Sequence, residues 1–390
     1  MELTPEQTEI LRTVRNFVDK DVLPNVAKYE QADEFPQDMF EQMRDMGLFG
    51  ITISEEYGGL GLDLMTYTLV VAELSRGWIS LSGIINTHFM AAWMLETYGT
   101  DKQKAELLPL MATGELRSAY SMTEPNAGSD VQSIRTRATR TDTGWRIDGQ
   151  KMWATNGLRS GMVMLLAVTD PEAEPRHRGM TAFIIRKEPG VEKQPGLTVP
   201  GKLKKLGYKG VETTELVFDG FEVTDDDILG GEAGLGRGFK YFMGAVELGR
   251  VNVAARGLGV ARCAFDVAIK YAQEREAFGK PISDHQSIQI KLAKMGTQIK
   301  AAEHLVFDAA RRKATGERAD LEAGMAKLFA TETAQFCAME AMRIHGGYGY
   351  SQEYMPERLY RDAPLLILGE GTNEIQHLLI ARRLLELNAI

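Results

Sequence analysis

The chain has 390 residues, of which 44% are hydrophobic, and a formal net charge of −9. This length and composition allow a sizeable core spread over roughly two or three domains, and the longest apolar runs fall well short of the roughly 20 residues of a membrane span. The acidic balance, without clustered Lys and Arg, argues against nucleic-acid binding, so neither a nucleic acid nor a membrane is expected as a partner.

Residues 1–118 carry a helical pattern punctuated by glycines. Thr4 followed by Pro5 is a typical helix start, because proline is favoured at the first helical position. The first residues are acidic and amphipathic, unlike a signal or transit peptide, and Cys263 and Cys337 lie in helical patterns without CxxC spacing. These features predict an N-terminal helical domain and a reducing, cytoplasmic location.

Residues 119–230 carry strand and turn signals at short spacing. Stretches rich in Thr, Val, Trp and Phe, such as 144–157 and 211–223, are broken by Gly, Asp and Pro. Apolar and β-branched stretches interrupted in this way are typical of strands. We therefore predict a small middle β domain, either a barrel or a sandwich, between two helical segments.

Residues 231–390 return to long helical patterns. Ser283 and Gln286 form a capping-box pattern, which predicts a helix start. Beyond it, apolar residues recur at alternating four- and three-residue steps, as in a seam between long helices. The residues of this seam are Ile288, Leu292, Met295, Ile299, Ala302, Val306 and Ala309. Either an internal helical bundle or a subunit interface accounts for it, and the expected fold class is a multidomain α+β protein.

Several familiar site motifs are absent or lie in the wrong context. The glycine-rich stretch 231–238 follows an acidic loop and 257–262 lies within a helical pattern, so neither fits the strand-to-helix turn of a dinucleotide-binding fold. No P-loop and no GxSxG motif occurs, and the six histidines lack metal-ligand spacing. We expect no metal site and no P-loop or serine-hydrolase chemistry.

Three polar, glycine-containing segments interrupt the apolar patterns. The first, 120–130, offers hydroxyl and backbone N–H groups that suit a polar heteroaromatic group or a phosphate; an ordinary capped connector is the alternative. In the second, 151–157, Trp153 and Thr155 are expected on one face of a strand, where they suit a flat conjugated ligand. A core tryptophan is the alternative there.

The third segment, 343–376, combines close glycines with an isolated carboxylate. Gly346, Gly347 and Gly349 let a backbone approach a ligand closely. Near the end of the segment, an apolar run is followed by Glu370, which lies between two glycines. This spacing by itself indicates only a buried carboxylate.

These segments resemble those of one family, the acyl-CoA dehydrogenases. YSMTEPNAGSD (120–130) and RIHGGYGYSQEYMPERLYRDAPLLILGEGTNEIQ (343–376) are similar to its two characteristic segments, and EREAFGKPISDHQ (274–286) is a third match. The resemblance covers essentially the whole chain and implies a C-terminal four-helix-bundle domain. It also implies non-covalently bound FAD, conversion of an acyl-CoA thioester to a trans-2-enoyl-CoA, and an electron-transfer flavoprotein as partner.

The resemblance implies three groups of FAD contacts. Along the flavin ring it implies Tyr120, Met122, Thr123, Trp153 and Thr155, with the threonine hydroxyl near N5. At the pyrophosphate and ADP half it implies Ser129, which could instead reach CoA, together with Thr372 and Glu374. At the FAD of a neighbouring subunit it implies Arg275, Phe278, Gln286, Arg343, Gly346 and Gly347. Sites shared between subunits imply a dimeric unit, and the family is usually a homotetramer.

Glu370 matches the family's usual catalytic base, which takes the α-proton of the thioester while hydride leaves the β-carbon for the flavin. Because this proton is weakly acidic, its removal requires a desolvated base and a polarised carbonyl. A minority of the family carries its base at the position of Gly249, which cannot act as one. The residues implied on the substrate side are Ser129, Glu247, Arg250, Gly369 and Gly371.

Two departures from the family pattern concern the substrate. Gly369 replaces a tyrosine of many relatives, which would widen the thioester end of the pocket. Ile79 stands where the glutaryl-specific branch of the family carries an arginine, which argues against glutaryl-CoA as the substrate. A longer dicarboxylyl-CoA, bound by another cation, stays open. The leading expectation is a short- to medium-chain or branched acyl-CoA. An acyl-CoA oxidase and a non-catalytic acyl-CoA-binding subunit are the two competing hypotheses, and the second of them predicts a missing base.

Overall fold

The first third of the chain is helical in the computed structural model, which describes residues 3–389. The Thr4 hydroxyl accepts a hydrogen bond from the Gln7 backbone N–H, and the Gln7 side chain accepts one from the Thr4 N–H. With Pro5 as the first helical residue, this capping box confirms the predicted helix start. The helices of this part are α1 (Pro5–Phe17), α2 (Val26–Ala32), α3 (Gln37–Asp45), α4 (Leu64–Gly77), α5 (Ile79–Tyr98) and α6 (Asp101–Ala112).

Helix α5 is buried on nearly all sides. Residues from Ile79 to Ala92 are buried without interruption, which is the expected position of a helix that carries apolar residues around its whole circumference. It contacts α4 and α6, and it also contacts the first strand and the long helix that follows the sheet. The polar residues of α5 therefore face the interior of the protein, where each requires a partner.

The middle of the chain forms one curled sheet, which confirms the predicted β region. Its strands are β1 (Ser118–Ser121), β2 (Arg137–Arg140), β3 (Trp145–Thr155), β4 (Met162–Val168), β5 (Met180–Arg186), β6 (Lys193–Gln194), β7 (Leu197–Thr198) and β8 (Thr213–Val223). The strand order is β1-β4-β2-β3-β8-β7-β6, with β5 antiparallel to β4. Strand β1 lies parallel to β4, and the sheet encloses a core of its own.

The last third of the chain is a helical bundle. A short hairpin of β9 (Glu276–Ala277) and β10 (Lys280–Pro281) separates its first two helices. Helices α7 and α9 pack along each other, α8 and α10 lie against both, and α11 packs on α9. The helices are α7 (Gly238–Glu274), α8 (Gln286–Ala314), α9 (Asp320–His345), α10 (Met355–Leu368) and α11 (Asn373–Leu387).

The predicted apolar seam of α8 lies inside this bundle. Its last five residues, from Met295 to Ala309, are buried, while Ile288 and Leu292 are half-buried against the same core. The seam thus packs within one chain, as the bundle interpretation required. A contribution of the same helix to a subunit interface stays a prediction.

The predicted capping box at Ser283 is wrong. Ser283 lies in a separate 3-10 turn, Ile282–Asp284, and the chain returns to an extended conformation at His285 before α8 begins at Gln286. The His285 N–H closes this turn on the Ile282 carbonyl. Because Ser283 and Gln286 belong to different turns, the Ser-x-x-Gln spacing does not span the first turn of a helix.

Neither cysteine forms a disulfide, and both Cys263 and Cys337 are buried. Burial raises the pKa of the Cys263 thiol to about 11 and that of Cys337 to about 12, so both stay protonated and unreactive at neutral pH. Across residues 3–389, no helix is long and apolar enough to cross a membrane.

Candidate active site

Glu370 lies in the loop between α10 and α11 with an unusual backbone conformation. Its φ is +53°, in the left-handed region that residues other than glycine rarely adopt, and Gly371 follows at +83°. Such a conformation costs on the order of 1–3 kcal/mol and persists only where the surroundings hold it. Backbone strain at an isolated carboxylate is a typical feature of functional sites.

The buried side chain of Lys327, on α9, holds this loop on both sides of Glu370. Its Nζ donates to the Ile367 carbonyl at 3.0 Å, to the Gly371 carbonyl at 2.9 Å and to Asn373 Oδ1 at 2.7 Å. Burial lowers the pKa of Lys327 to about 8, although the negative charge of Glu370 acts to raise it. A single amine therefore fixes the chain before and after the carboxylate.

The Glu370 carboxylate faces α5 and α7. Asn86 Nδ2 lies 3.4 Å from Oε1, and a Cβ built on Gly249 would lie 3.0 Å from Oε2. Burial raises the pKa of Glu370 above its usual value, and the charge of Arg256, the Asn86 hydrogen bond and the charge of Lys327 oppose this rise in decreasing order. The arrangement is a desolvated carboxyl group whose ionised form nearby cations support.

Helix α7 places no second carboxylate opposite Glu370. The position that the resemblance compares with an alternative base is Gly249, and its missing side chain makes room for the Glu370 carboxylate. Glu247 instead forms an ion pair with Lys313, at 3.0 Å. The guanidinium of Arg250 is partly buried, which lowers its pKa, and its Nε has no hydrogen-bond partner.

Tyr120 and the loop after it lie beside Glu370. The Tyr120 hydroxyl donates to the Phe242 carbonyl at 3.0 Å, and both burial and the charge of Glu370 raise the pKa of Tyr120. The carbonyl of Met122 accepts from Lys151 Nζ and that of Thr123 from the Met152 N–H, each at 2.9 Å. Residues 120–123 are thereby attached to β3 along the edge of the site.

A buried ion pair supports this attachment. Lys151 is fully buried and donates to Glu124 Oε1 at 2.9 Å, while Glu124 also accepts from the N–H groups of Arg135 and Thr136. Burial alone would raise the pKa of Glu124, but Lys151 and these donors bring it below its usual value. Removing either partner would leave a buried charge without compensation.

Trp153 is not a core residue, so that alternative is wrong. The pairing of β3 with β8 shifts between Lys151 and Ala154, and the extra residue forms a bulge. At this bulge Trp153 has a φ of +64°, and 55% of it is exposed. Regular pairing resumes at Ala154, and Thr155 pairs with Thr213 of β8.

The residues that the resemblance assigns to a neighbouring subunit's FAD lie far from Glu370. Helix α7 runs 25 residues from Gly249 to Glu274, which corresponds to roughly 37 Å. Beyond its end, Phe278 is 96% exposed with a φ of +54°. The other residues of this group near the same end of the bundle are Arg275, Gln286, Arg343, Gly346 and Gly347. This group therefore lies near the C-terminal end of α7, away from Glu370.

The remaining predicted residues occupy loops and a helix end. Ser129 is exposed in a loop where a Cβ added at Gly128 would meet nothing. The Thr372 hydroxyl caps α11 by accepting from the Ile375 N–H, and Glu374 lies in the first turn of that helix. Gly369 ends α10 in an extended conformation next to Glu370.

Sequence reasoning missed several residues that build the site. Asn86, Lys327, Lys151 and Arg256 are polar residues inside apolar helices or strands, and each is buried. A buried polar residue is the exception that needs an explanation. An asparagine within the apolar run of α5 and a lysine within AGMAKLFA were the available signals.

Three family models match successive parts of the chain. The acyl-CoA dehydrogenase N-terminal domain matches residues 4–115, the middle domain 119–221 and the C-terminal domain 236–385. Together they cover most of the sequence in the order helical, β, helical.

Individual proteins match over nearly the whole chain. An acyl-CoA dehydrogenase of Bacillus subtilis is 40% identical and covers 99% of both chains. A (2S)-methylsuccinyl-CoA dehydrogenase of Cereibacter sphaeroides is 41% identical over 98% of this chain and 70% of its own length. The structure of butyryl-CoA dehydrogenase from Megasphaera elsdenii superposes with a TM-score of 0.92 at 35% identity, over 99% of both chains.

Proposed function

The chain belongs to the acyl-CoA dehydrogenase family of FAD-dependent oxidoreductases, and on this premise we propose that Glu370 is the catalytic base. The proposed reaction is removal of two hydrogens from an acyl-CoA thioester to give the trans-2-enoyl-CoA. The observation that carries the proposal is the geometry of Glu370, a desolvated carboxylate held in a strained conformation by Lys327, opposite a glycine that makes room for it.

The surroundings of Glu370 suit proton abstraction from carbon. Burial raises the pKa of its carboxyl group, and a base of higher pKa accepts a proton more readily. The cations nearby oppose this rise and so favour the ionised form, which is the form that accepts a proton. We propose that the thioester carbonyl accepts a hydrogen bond from the Glu370 backbone N–H, which would hold the α-carbon close to the carboxylate.

The residues present fit FAD. Bound FAD supplies the acceptor for the hydride that leaves the β-carbon. Trp153, exposed at its bulge, offers a flat surface, and a Cβ added at Gly346 or Gly347 would meet nothing, so backbone there is accessible to a ligand. The N-terminus of α11, capped by Thr372, favours an anionic group. We propose for the flavin Tyr120, Met122, Thr123, Trp153 and Thr155, and for the phosphates and ADP half Ser129, Thr372 and Glu374.

A second copy of the chain is part of this proposal. Phe278, almost fully exposed on a hairpin roughly 37 Å along α7 from Glu370, is a large apolar residue that a monomer would leave in water. We propose that it enters the FAD site of a neighbouring subunit with Arg275, Gln286, Arg343, Gly346 and Gly347. The assembly would be a homotetramer built as a dimer of dimers.

The proposed electron acceptor is an electron-transfer flavoprotein, and the proposed location is the cytoplasm. On the substrate side we propose Glu247 and Arg250 for the CoA portion and Gly369 and Gly371 for the thioester end. With glycine at 369, the pocket next to the base has room for a short- to medium-chain or branched acyl group.

The test is anaerobic reduction of the purified holoenzyme by acyl-CoA. Mixing with butyryl-CoA and longer acyl-CoAs is expected to bleach the flavin absorbance. In Glu370→Gln, which keeps size but is not a useful base, bleaching is expected to be about 10²–10⁴-fold slower with FAD content unchanged. The matched control is Glu303→Gln, whose carboxylate pairs with Arg262 at 3.2 Å outside the site.

Each result separates the competing functions. Near-normal bleaching in Glu370→Gln would move the base to another residue. A flavin that no acyl-CoA reduces would favour a non-catalytic binding subunit. Rapid reoxidation when oxygen is admitted would favour an oxidase over a dehydrogenase that requires an electron-transfer flavoprotein.

A further inference from the structure

Arg256 is a buried cation on α7, the helix whose Gly249 contacts the Glu370 carboxylate. It lies on α7 seven residues beyond Gly249, and only 4% of it is exposed. Seven residues of helix span about 10 Å, and a long side chain on a helix leans toward the helix N-terminus, here toward Gly249 and the Glu370 carboxylate. Arg256 exerts the largest of the nearby charge effects on Glu370, so its guanidinium lies within electrostatic range of the carboxylate.

Within the chain, Arg256 contacts a backbone carbonyl and the side chain of Tyr208, whose pKa is raised by burial while the charge and hydrogen bond of Arg256 oppose that rise. Nη2 donates to the Ile79 carbonyl at 3.3 Å, and the guanidinium carbon lies 4.9 Å from the ring centre of Tyr208. Nε is buried without a hydrogen-bond partner. Among residues 3–389, Arg256 forms no ion pair with a carboxylate. Glu212 also exerts a charge effect on Tyr208, but its carboxylate accepts a hydrogen bond from the Arg159 backbone N–H at 2.9 Å and does not pair with Arg256.

Other unpaired polar atoms line the same region. On α7, Gly249, Asn252 and Arg256 share one helix face by their spacing, and Asn252 Oδ1 is buried without a partner. On the facing side of α5, Asn86 contacts Glu370 through Nδ2 while its Oδ1 is also unpaired. Helices α5 and α7 therefore both carry buried polar atoms without partners near Glu370 and Arg256.

A buried guanidinium without an anionic partner is energetically costly, and such a group close to a candidate catalytic carboxylate is a candidate for ligand binding. Its planar fork matches a carboxylate better than any other common group. Cation–π contact with Tyr208 offsets part of the cost and orients the guanidinium.

On the basis of the dehydrogenation proposed above, we propose that the acyl group carries a second, terminal carboxylate bound by Arg256, so that the substrate is a short dicarboxylyl-CoA. Because Arg256 lies seven residues, or about 10 Å, along α7 from Gly249, which contacts the Glu370 carboxylate, an acyl group that joins the base to the guanidinium is short. The carboxylate takes no part in the bond changes: the α-proton goes to Glu370, the hydride goes to the FAD that the family uses, and a trans-2-enoyl-CoA with its carboxylate intact results.

The experiment compares substrates with and without the second carboxylate on the holoenzyme. Anaerobic flavin reduction, and steady-state turnover with an artificial electron acceptor, are measured with butyryl-CoA and with succinyl-, methylsuccinyl-, glutaryl- and adipyl-CoA. We expect the best dicarboxylyl-CoA to exceed butyryl-CoA in kcat/KM. In Arg256→Gln the ratio of the two kcat/KM values is expected to fall by about 10- to 100-fold, the effect of losing a charge-assisted hydrogen bond. In Arg256→Lys, which keeps the charge but not the fork, the fall is expected to be smaller.

The control is Arg262→Gln on the same helix, because Arg262 pairs with Glu303 near the surface. In this variant the ratio of the kcat/KM values for the dicarboxylyl-CoA and butyryl-CoA is expected to stay at the wild-type value. Equal losses for both substrate classes in Arg256→Gln would show a structural role and overturn the inference. If that variant does not fold, the wild-type ratio decides, because faster reduction by butyryl-CoA than by every dicarboxylyl-CoA also overturns it. Reduction by no acyl-CoA at all would instead overturn the proposed dehydrogenase function.

Discussion

The position of the Glu370 carboxylate depends on one buried lysine, and replacing Lys327 by Met tests this dependence. The three hydrogen bonds of its Nζ, to Ile367, Gly371 and Asn373, close the loop on both sides of the base. Hydrogen bonds from a charged donor contribute about 1.5–3 kcal/mol each and are not additive in a shared network. Removing one partner of a buried charged network typically costs about 3–5 kcal/mol, so we expect a loss of this size in the free energy of unfolding.

The rate of flavin reduction in Lys327→Met is expected to fall by more than the loss of folded enzyme accounts for. Without the amine, the left-handed conformation of Glu370 loses its main support, and misplacing a catalytic group by about 1 Å costs about 100-fold in rate. Flavin reduction by acyl-CoA in the folded Lys327→Met enzyme is therefore expected to be about 100-fold slower. Urea unfolding and anaerobic stopped-flow absorbance measure the two quantities.

Lys187 provides the matched control. It is equally a buried lysine, its Nζ donates to three backbone carbonyls, those of Leu158, Ser160 and Glu188, and burial lowers its pKa to about 8 as well. Lys187→Met is expected to lose similar stability while the folded enzyme reduces its flavin at the wild-type rate. If folded Lys327→Met also reacted at the wild-type rate, the loop would hold Glu370 without the lysine and the reasoning would be refuted.

Three further variants test other parts of the structure. In Gly249→Ala the new Cβ would lie 3.0 Å from Glu370 Oε2, so the carboxylate must shift, and reduction is expected to slow about tenfold or more while FAD is retained. In Trp153→Ala the loss of a half-exposed side chain is expected to leave the unfolding free energy of the apoprotein within about 0.5 kcal/mol but to weaken FAD retention during gel filtration. Burial raises the pKa of Asp362 from 3.8 to about 6; the native state then holds a proton that the unfolded chain releases, so stability falls as pH rises from about 4 to about 6. In Asp362→Asn, urea unfolding as a function of pH is expected to show a smaller fall, and an unchanged slope would contradict the assignment.

The sequence by itself determined those features that depend on neighbours along the chain. The start of α1 at Thr4 and Pro5 is a local capping arrangement, and the seam of α8 is a local periodicity, so both were predicted from spacing. The order helical, β, helical followed from the same kind of pattern. The predicted capping box at Ser283 failed because its spacing presupposed a helical turn from Ser283 to Gln286. In the structure, Ser283 instead lies in a separate turn that is closed by the hydrogen bond from the His285 N–H to the Ile282 carbonyl.

Only the tertiary structure decided what surrounds the carboxylate. Lys327 acts on a loop more than forty residues later in the chain, and Asn86 and Gly249 reach Glu370 from two other helices. The bulge that exposes Trp153 comes from the pairing of β3 with β8, not from the residues of β3 alone. A short motif can mark an isolated glutamate, but its backbone strain and its desolvation are properties of packed neighbours distant in sequence. The unpaired guanidinium of Arg256 is a property of the same kind, since only the folded chain shows that no carboxylate in residues 3–389 meets it.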